Sequence, residues 1–239
     1  MNENAVLRRP PAEKYDPFAG MDALATPIRR RRGEIVHDGE RGSRYLYRVA
    51  AGAARRCALQ ADGRRRILDL LFPGDFFGFG ENGETATTIE ALVDGTIVLR
   101  YPRREIEALA DADPPTARAI RGMAFATISR LETQISLLGR VNAVEKVGAF
   151  LLALEERQNA GGDRLTLPVS RCDIGDFLAL SPETVSRSLS SLERRGAISF
   201  AAPRDVDIVD RIALRERIVK RERARPARVV RKRKRKPPR

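Results

Sequence analysis

The sequence predicts an α+β protein in which a small antiparallel β-roll comes first, then a long helix, then two short helices and a β-hairpin. Three observations predict this order. Short apolar runs recur about every ten residues up to residue 101, which is the spacing of hairpin-connected strands. An apolar stripe at helical spacing follows, and residues 165–210 then carry the capping and turn signals of a helix, a tight turn and a second helix.

The β-roll prediction covers about residues 28–101, where apolar or alternating runs are separated by turn dipeptides such as Asp38-Gly39, Asp62-Gly63 and Asp94-Gly95. Strand-length segments this close together pair as antiparallel neighbours. The expected strands contain Ile35-Val36, Tyr45 to Val49, Cys57 to Leu59, Arg66 to Phe72, Thr87 to Leu92 and Thr96 to Tyr101.

A long helix is predicted after Pro114-Pro115. Its apolar residues recur at alternating steps of four and three, the spacing of a coiled-coil seam. We therefore predict a dimerisation helix, although a helix that packs only on its own roll would show a similar stripe. The seam residues are Ala124, Ile128, Leu131, Ile135 and Leu138.

The first of the two short helices begins at Ser170, an N-cap residue with Asp173 three positions later. Ile174 and Leu178 form its apolar face, and a break follows at Leu180-Ser181. This pattern predicts one half of a helix-turn-helix.

The second short helix begins at Pro182 and ends before Gly196. With about 100° per residue, its apolar residues fall on one face and Glu183, Ser186 and Arg187 on the opposite face. Arginine pairs with the O6 and N7 atoms of guanine, and glutamate accepts from the N4 amino group of cytosine. A solvated charged face is the alternative, but the hairpin expected over Ile198–Val209 favours a winged helix that reads DNA.

Charge is concentrated at the C-terminus. The chain has 45 Lys and Arg against 32 Asp and Glu, a net +13, and residues 211–239 hold fifteen basic residues against Glu216 and Glu222. Residues 1–210 therefore contain 30 of each sign. The tail, rather than the body, carries the excess charge, so a sequence-neutral nucleic-acid binder that acts through the tail is an alternative function.

Composition argues against several protein classes. No apolar run reaches the roughly 20 residues that span a bilayer, and no signal-peptide pattern is present, so we expect a cytoplasmic protein without a membrane partner. The two cysteines, Cys57 and Cys172, lie 115 residues apart and form no CxxC motif, which argues against a disulfide-built secreted module. A cupin-like enzyme is an alternative, but with His37 as the single histidine we expect no metal site and no catalytic activity.

Two segments resemble the Crp/Fnr family of transcription regulators. Residues 171–196, RCDIGDFLALSPETVSRSLSSLERRG, look like its helix-turn-helix, and residues 71–78, LFPGDFFG, look like a turn in its cyclic-nucleotide-binding-like β-roll. The resemblance extends over about residues 28–210 in the family's order. It implies a homodimer that binds double-stranded DNA and contacts RNA polymerase, and an activator is the expected form.

The combination of Glu183, Ser186 and Arg187 is similar to the recognition residues of the Fnr and FixK branches, which implies a palindrome with TTGA-like half-sites. The resemblance assigns Arg187 to guanine, Glu183 to a base of the opposite strand and Ser186 to thymine. Ser170, Arg171 and Thr184 are the expected phosphate contacts.

The cofactor motifs of related sensors are missing. Residues 1–35 contain no cysteine for an iron–sulfur cluster, and the family's arginine that binds the phosphate of cyclic AMP is not found over Thr85–Thr88. We therefore expect no cofactor and place the chain in a FixK-like branch.

Cys172 lies in the predicted first turn beside Arg171, where positive charge favours thiolate. We hypothesise a redox switch in which oxidation weakens DNA binding. The alternative is a small residue tolerated at a helix start.

The expected division of the chain is an N-terminal extension over 1–22, the roll over 23–111, the dimerisation helix over 112–139, the winged helix-turn-helix over 140–210 and a basic tail over 211–239.

Overall fold

The computed structural model describes residues 19–37, 44–59, 63, 65–79, 87–158 and 164–215. In its N-terminal part, two four-stranded antiparallel sheets pack face to face. The strand orders are β1-β8-β3-β6 and β2-β7-β4-β5. Apolar side chains from both sheets, among them Tyr47, Val49 and Phe77, fill the space between them. The strands are β1 (Thr26–Arg30), β2 (Ile35–His37), β3 (Tyr45–Ala51), β4 (Ala54–Leu59), β5 (Arg65–Leu71), β6 (Phe76–Phe77), β7 (Thr87–Ala91) and β8 (Thr96–Pro102).

The helical part begins directly after β8. Asp113 starts the long helix α3 by accepting hydrogen bonds from the backbone N–H and hydroxyl of Thr116, and Gly139 ends it. The predicted α+β order is thus confirmed. The later elements are α2 (Arg103–Ala112), α3 (Pro114–Leu138), α4 (Ala143–Gln158), β9 (Arg164–Thr166), α5 (Arg171–Leu178), α6 (Pro182–Arg194), β10 (Ile198–Ala202), β11 (Asp205–Ile208) and α7 (Arg211–Arg215).

The first described turn of helix, α1 (Ala19–Asp22), lies in a segment that the sequence placed in a loose extension. Met21 is fully buried, and Asp22 accepts hydrogen bonds from Arg48 and from the hydroxyl of Tyr101, each at 2.8 Å. The prediction is wrong for residues 19–22, because these long-range contacts leave no local sequence signal. Residues 1–18 lie outside the described residues.

Helix α7 occupies residues that the sequence assigned to the basic tail. Leu214 is buried and lies against Gly148 of α4, where a Cβ atom would be 3.1 Å from the Leu214 carbonyl oxygen. Arg211 forms an ion pair with Glu155, which is buried in α4. The folded chain therefore continues to Arg215, and the rest of the tail, 216–239, lies outside the described residues.

The roll and the C-terminal helices share one apolar core. Leu70 and Phe72 of the roll belong to the same cluster of buried side chains as Phe150 of α4 and Phe177 of α5. Cys57 lies in this cluster as well, and burial raises the pKa of its thiol to about 11. The two domains are therefore held together by apolar contact as well as by the chain between them.

Arg130 connects α3 to the roll through two carboxylates. It lies 2.9 Å from Asp69 of β5 and 2.9 Å from Asp75, and Asp75 also pairs with Arg157 of α4. Burial raises the pKa of Asp69 in spite of the charge of Arg130. Arg130 thus donates hydrogen bonds to a buried carboxylate, and the charges of Arg56 and Arg157 also act on Asp69.

We predict that Arg130→Leu destabilises the protein by about 3–5 kcal/mol, because the buried Asp69 carboxylate loses the guanidinium that donates hydrogen bonds to it. Urea unfolding followed by circular dichroism measures the change. Arg118→Leu, an exposed change on the same helix, is the control and should cost less than about 0.5 kcal/mol. Equal stability of the two variants would contradict the role of Arg130.

Candidate nucleic-acid interface

Helix α5 begins with a complete capping box. The hydroxyl of Ser170 accepts from the backbone N–H of Asp173 at 3.1 Å, and the Asp173 carboxylate accepts from the backbone N–H of Ser170 at 2.9 Å. Two of the N–H groups that a helix start leaves unpaired are satisfied in this way. The first turn of α5 is therefore rigidly defined, and its exposed residues, Arg171 and Cys172, have fixed positions on the surface.

The turn between α5 and α6 requires glycine and a left-handed residue. Ala179 has φ 54°, and the N–H of Leu180 donates to the carbonyl of Gly175 at 2.9 Å. A Cβ atom at position 175 would lie 2.6 Å from the carbonyl oxygen of Leu180, closer than packed atoms approach. This close approach sets the angle between the two helices.

Helix α6 is capped by Ser181, whose hydroxyl accepts from the backbone N–H of Thr184 at 3.2 Å. Its inner face consists of buried residues that include Val185, Leu189 and Leu192, packed in the shared core. Glu183 and Arg187 are exposed on the other side, and Ser186 is half-buried. The structure therefore brings the three predicted base-contacting residues to one outward face.

The charge state of this face suits hydrogen bonding to bases. Hydrogen bonds from the backbone N–H of Glu183 and from Ser181, together with the charge of Arg187, lower the pKa of Glu183. An ionised carboxylate is an acceptor only, whereas a guanidinium is a donor only. The pair Glu183 and Arg187 thus offers opposite hydrogen-bonding capacity on adjacent turns of one helix face.

Arg171 joins the two helices at the surface, because its Nη1 atom donates to the hydroxyl oxygen of Ser186 at 3.1 Å. Ser186 in turn donates to the carbonyl of Pro182 at 2.9 Å. A predicted phosphate contact and a predicted base contact are therefore adjacent. This contact spans fifteen residues of sequence and has no local signal.

The other two predicted phosphate contacts take part in helix caps. Ser170 donates its hydroxyl proton to Asp173 at 2.7 Å, and the hydroxyls of Thr184 and Ser181 lie 3.0 Å apart. A hydroxyl has one proton, so a hydrogen bond from Ser170 to phosphate would compete with the cap. Arg171 is the exposed cation of the three. All three assignments stay predictions.

A three-stranded sheet of order β10-β11-β9 lies beside the two helices. Strands β10 and β11 form the predicted hairpin, with Ile198 opposite Ile208 and a turn at Pro203-Arg204. Strand β9 adds to the hairpin through pairs such as Thr166 with Asp205. The segment therefore has the form of a winged helix-turn-helix.

His37 is the single histidine of the chain, and the structure places it in the roll. His37 is half-buried at the end of β2, and its Nδ1 atom lies 3.5 Å from the hydroxyl oxygen of Tyr47. In the part of the chain that the structure describes, no three His, Cys, Asp or Glu side chains are grouped closely enough to hold a metal ion. No helix among these residues is both long and apolar enough to cross a membrane.

One contact that sequence reasoning missed reaches this interface from the roll. Arg55 of β4 pairs with Asp173, although 118 residues separate them. Arg55 directly precedes Arg56 in the sequence, and no local feature distinguishes the two arginines. No sequence signal was available to find it.

Comparison with known families matches both halves of the chain. Residues 30–113 match the cyclic nucleotide-binding domain, and residues 145–217 match the Crp-like helix-turn-helix domain. The first range covers the roll from the end of β1 onward, and the second contains the whole winged helix-turn-helix.

Several characterised proteins are similar over most of the chain. A nitrogen fixation regulation protein FixK of Azorhizobium caulinodans is 38% identical over 207 residues, which cover 85% of this chain and 83% of the relative. The FixK of Rhizobium meliloti is 35% identical, with 83% of this chain and 89% of the relative covered. The solved structure of FixK2 from Bradyrhizobium japonicum has a TM-score of 0.71 at 35% identity and covers 80% of this chain and 96% of its own.

The order of the domains, the winged helix-turn-helix and these relatives agree with one another. The chain belongs to the Crp/Fnr family of DNA-binding transcription regulators and, within it, to the FixK-like branch.

Proposed function

We propose that this protein binds, as a homodimer, a palindromic DNA site with TTGA-like half-sites and thereby activates transcription through RNA polymerase in the cytoplasm. The observation that carries the proposal is the outward face of α6, where Glu183, Ser186 and Arg187 lie together. The names of related proteins, which include a probable transcriptional activator of Rhizobium leguminosarum, support activation. The proposal assigns no catalytic activity and no cofactor to the chain.

The proposed base contact and the proposed phosphate contact have different consequences for DNA binding. Arg187 lies on the recognition face and is proposed to pair with a guanine, which carries sequence information. Arg171 lies at the start of α5, where a cation and backbone N–H groups meet a phosphate without reading sequence. Specificity and affinity are therefore separable by mutation.

We predict that Arg187→Ala reduces discrimination at the guanine of each half-site by roughly 1–3 kcal/mol, because it removes a bidentate pair. Arg171→Ala should weaken all duplexes by a similar factor and leave the preferred sequence unchanged. Binding-site selection from random duplexes, followed by titration of the selected site and of single-base variants, measures both.

Failure of the wild type to select a palindrome would contradict the proposal. The alternative function, sequence-neutral binding through the tail, predicts that deletion of residues 216–239 removes all DNA binding. Retention of the selected motif after that deletion supports recognition by α6.

The proposed dimer contact is the outer side of α3. Ile128 and Ile135, two of the seam residues, are 51% and 69% exposed, and Ala124, Leu131 and Leu138 are half-buried. The buried residues of α3 are instead Thr116, Met123 and Leu137. The seam is therefore distinct from the side that packs inward, which supports a partner helix over the alternative of packing on the roll alone.

We predict that Ile135→Asp converts the dimer to monomer, since it places a charge in an apolar seam. Sedimentation velocity measures the oligomeric state, and Ser129→Asp, an exposed change on the same helix, should leave the dimer intact. A monomeric wild type, or a dimeric Ile135→Asp variant, would contradict the proposed seam. Because the two heads must contact half-sites about 34 Å apart, loss of the dimer should also remove the advantage of a palindrome over one half-site.

Cys172 is proposed as a redox switch beside the interface. It is exposed in the first turn of α5, whereas Cys57, the other cysteine, is buried. Attack of the Cys172 thiolate on hydrogen peroxide breaks the O–O bond, transfers a hydroxyl group to sulfur and releases hydroxide, which gives a sulfenic acid; a second peroxide oxidises it to a sulfinic acid and releases water. Polarity or negative charge added beside Arg171 opposes the approach of phosphate.

We predict that peroxide weakens DNA binding by the wild type and leaves Cys172→Ala unaffected. Anisotropy titration of the selected duplex before and after treatment measures the change, and Cys57→Ala is the control that should stay sensitive. Equal losses in the wild type and Cys172→Ala would exclude the switch.

A further inference from the structure

Arg55 lies where the roll meets the helix-turn-helix and is held by carboxylates of both. Its Nε and Nη2 atoms donate to Glu90 of β7 at 3.0 and 2.7 Å, and its Nη1 atom donates to Asp173 of α5. The three side chains are 14%, 14% and 9% exposed, so this ion-pair group is largely removed from water. An ion pair of this kind is held in one geometry far more closely than a surface pair.

The two oxygens of Asp173 have separate partners. Oδ2 accepts from the backbone N–H and the hydroxyl of Ser170, which closes the cap of α5, and Oδ1 accepts from Arg55. Burial acts to raise the pKa of Asp173, but the hydrogen bonds from Ser170 and the charge of Arg55 outweigh it, so the pKa lies below its usual range. The carboxylate that defines the start of α5 is thus also the point at which the roll holds this helix.

The same turn of α5 continues to the DNA-facing surface. Arg171 is two residues before Asp173 and donates to Ser186 of α6 at 3.1 Å. Arg55 therefore connects Glu90 to Asp173. Arg171, in the same turn of α5 as Asp173, contacts Ser186 on the outward face of α6. A change in the angle between the roll and α5 would turn the recognition face by the same amount.

We propose that Arg55 is a positioning residue for DNA recognition, which holds the helix-turn-helix at the angle to the roll that lets both heads of a dimer contact one palindrome. This inference rests on the proposed function above and assigns to a residue of the roll a part in half-site spacing. Arg55 does not touch DNA in this scheme. Its loss therefore affects the binding of two linked half-sites and leaves the contact of one head with one half-site intact.

Arg55→Ala is a suitable test because the remaining groups keep partners. Glu90 retains Arg65 at 2.8 Å, and Asp173 retains Ser170. Arg65→Ala is the matched control, since Arg65 of β5 pairs with the same Glu90. Arg55→Gln, which keeps most of the side-chain volume, is the second variant if Arg55→Ala unfolds.

The experiment compares two duplexes by fluorescence anisotropy, one with the selected palindrome and one with a single half-site. Arg55→Ala should weaken palindrome binding by roughly fivefold or more, the lower end of typical coupling between two sites, and change half-site binding by less than about twofold. Arg65→Ala should match the wild type on both duplexes. Asp173→Asn, whose amide oxygen still closes the cap, should show the loss of Arg55→Ala, and the double variant should be no worse than either single variant.

Wild-type affinity of Arg55→Ala for the palindrome would overturn the inference, and so would an equal loss on both duplexes or an equal loss in Arg65→Ala. Additive losses in the double variant would overturn it too, because they would show that Arg55 and Asp173 act separately. In all these cases the wild type still prefers the palindrome. A wild type that binds both duplexes equally would instead overturn the proposed dimeric recognition on which the inference depends.

Discussion

The carboxylate of Asp173 makes two contacts on which the position of α5 depends. One of its oxygens closes the cap of α5, and the other accepts a hydrogen bond from Arg55 of the roll. The same side chain therefore stabilises the start of α5 and holds this helix against the roll. The tight turn at Gly175 then transmits the position of α5 to α6. The direction in which Arg187 points depends on this sequence of contacts rather than on α6 alone.

Apolar burial supports this arrangement. Leu70 and Phe72 of the roll and Phe177 of α5 lie in one core, so the interdomain contact gains free energy from burial that the ion pairs by themselves would not provide. Arg130 and Asp69 are placed at the edge of the same region and connect α3 to it. The roll, the long helix and the C-terminal domain consequently meet in one place, and a change in any one of them bears on the other two.

The net charge of the protein does not locate the proposed DNA-binding face. The net +13 equals the excess in residues 211–239, whereas the proposed base contacts are a few residues within a body of balanced charge. Arg211 shows that part of that excess is structural, since it pairs with Glu155 in α4. The remaining basic residues are suited to phosphate attraction without sequence preference, which adds affinity and salt dependence rather than specificity.

Elements whose causes are local could be predicted from the amino-acid sequence. Alternation predicted the strands, Ser170 and Asp173 predicted a cap, and helical spacing predicted which side of α6 faces outward, because each depends on residues within a few positions of one another. The contacts of Met21, Leu214 and Arg55 could not be predicted in this way, because their partners are far away in the chain and only folding brings them together. Long-range packing selects these partners from many chemically equal candidates, so Arg55 and Arg56 are alike in sequence and differ only in what the fold places beside them.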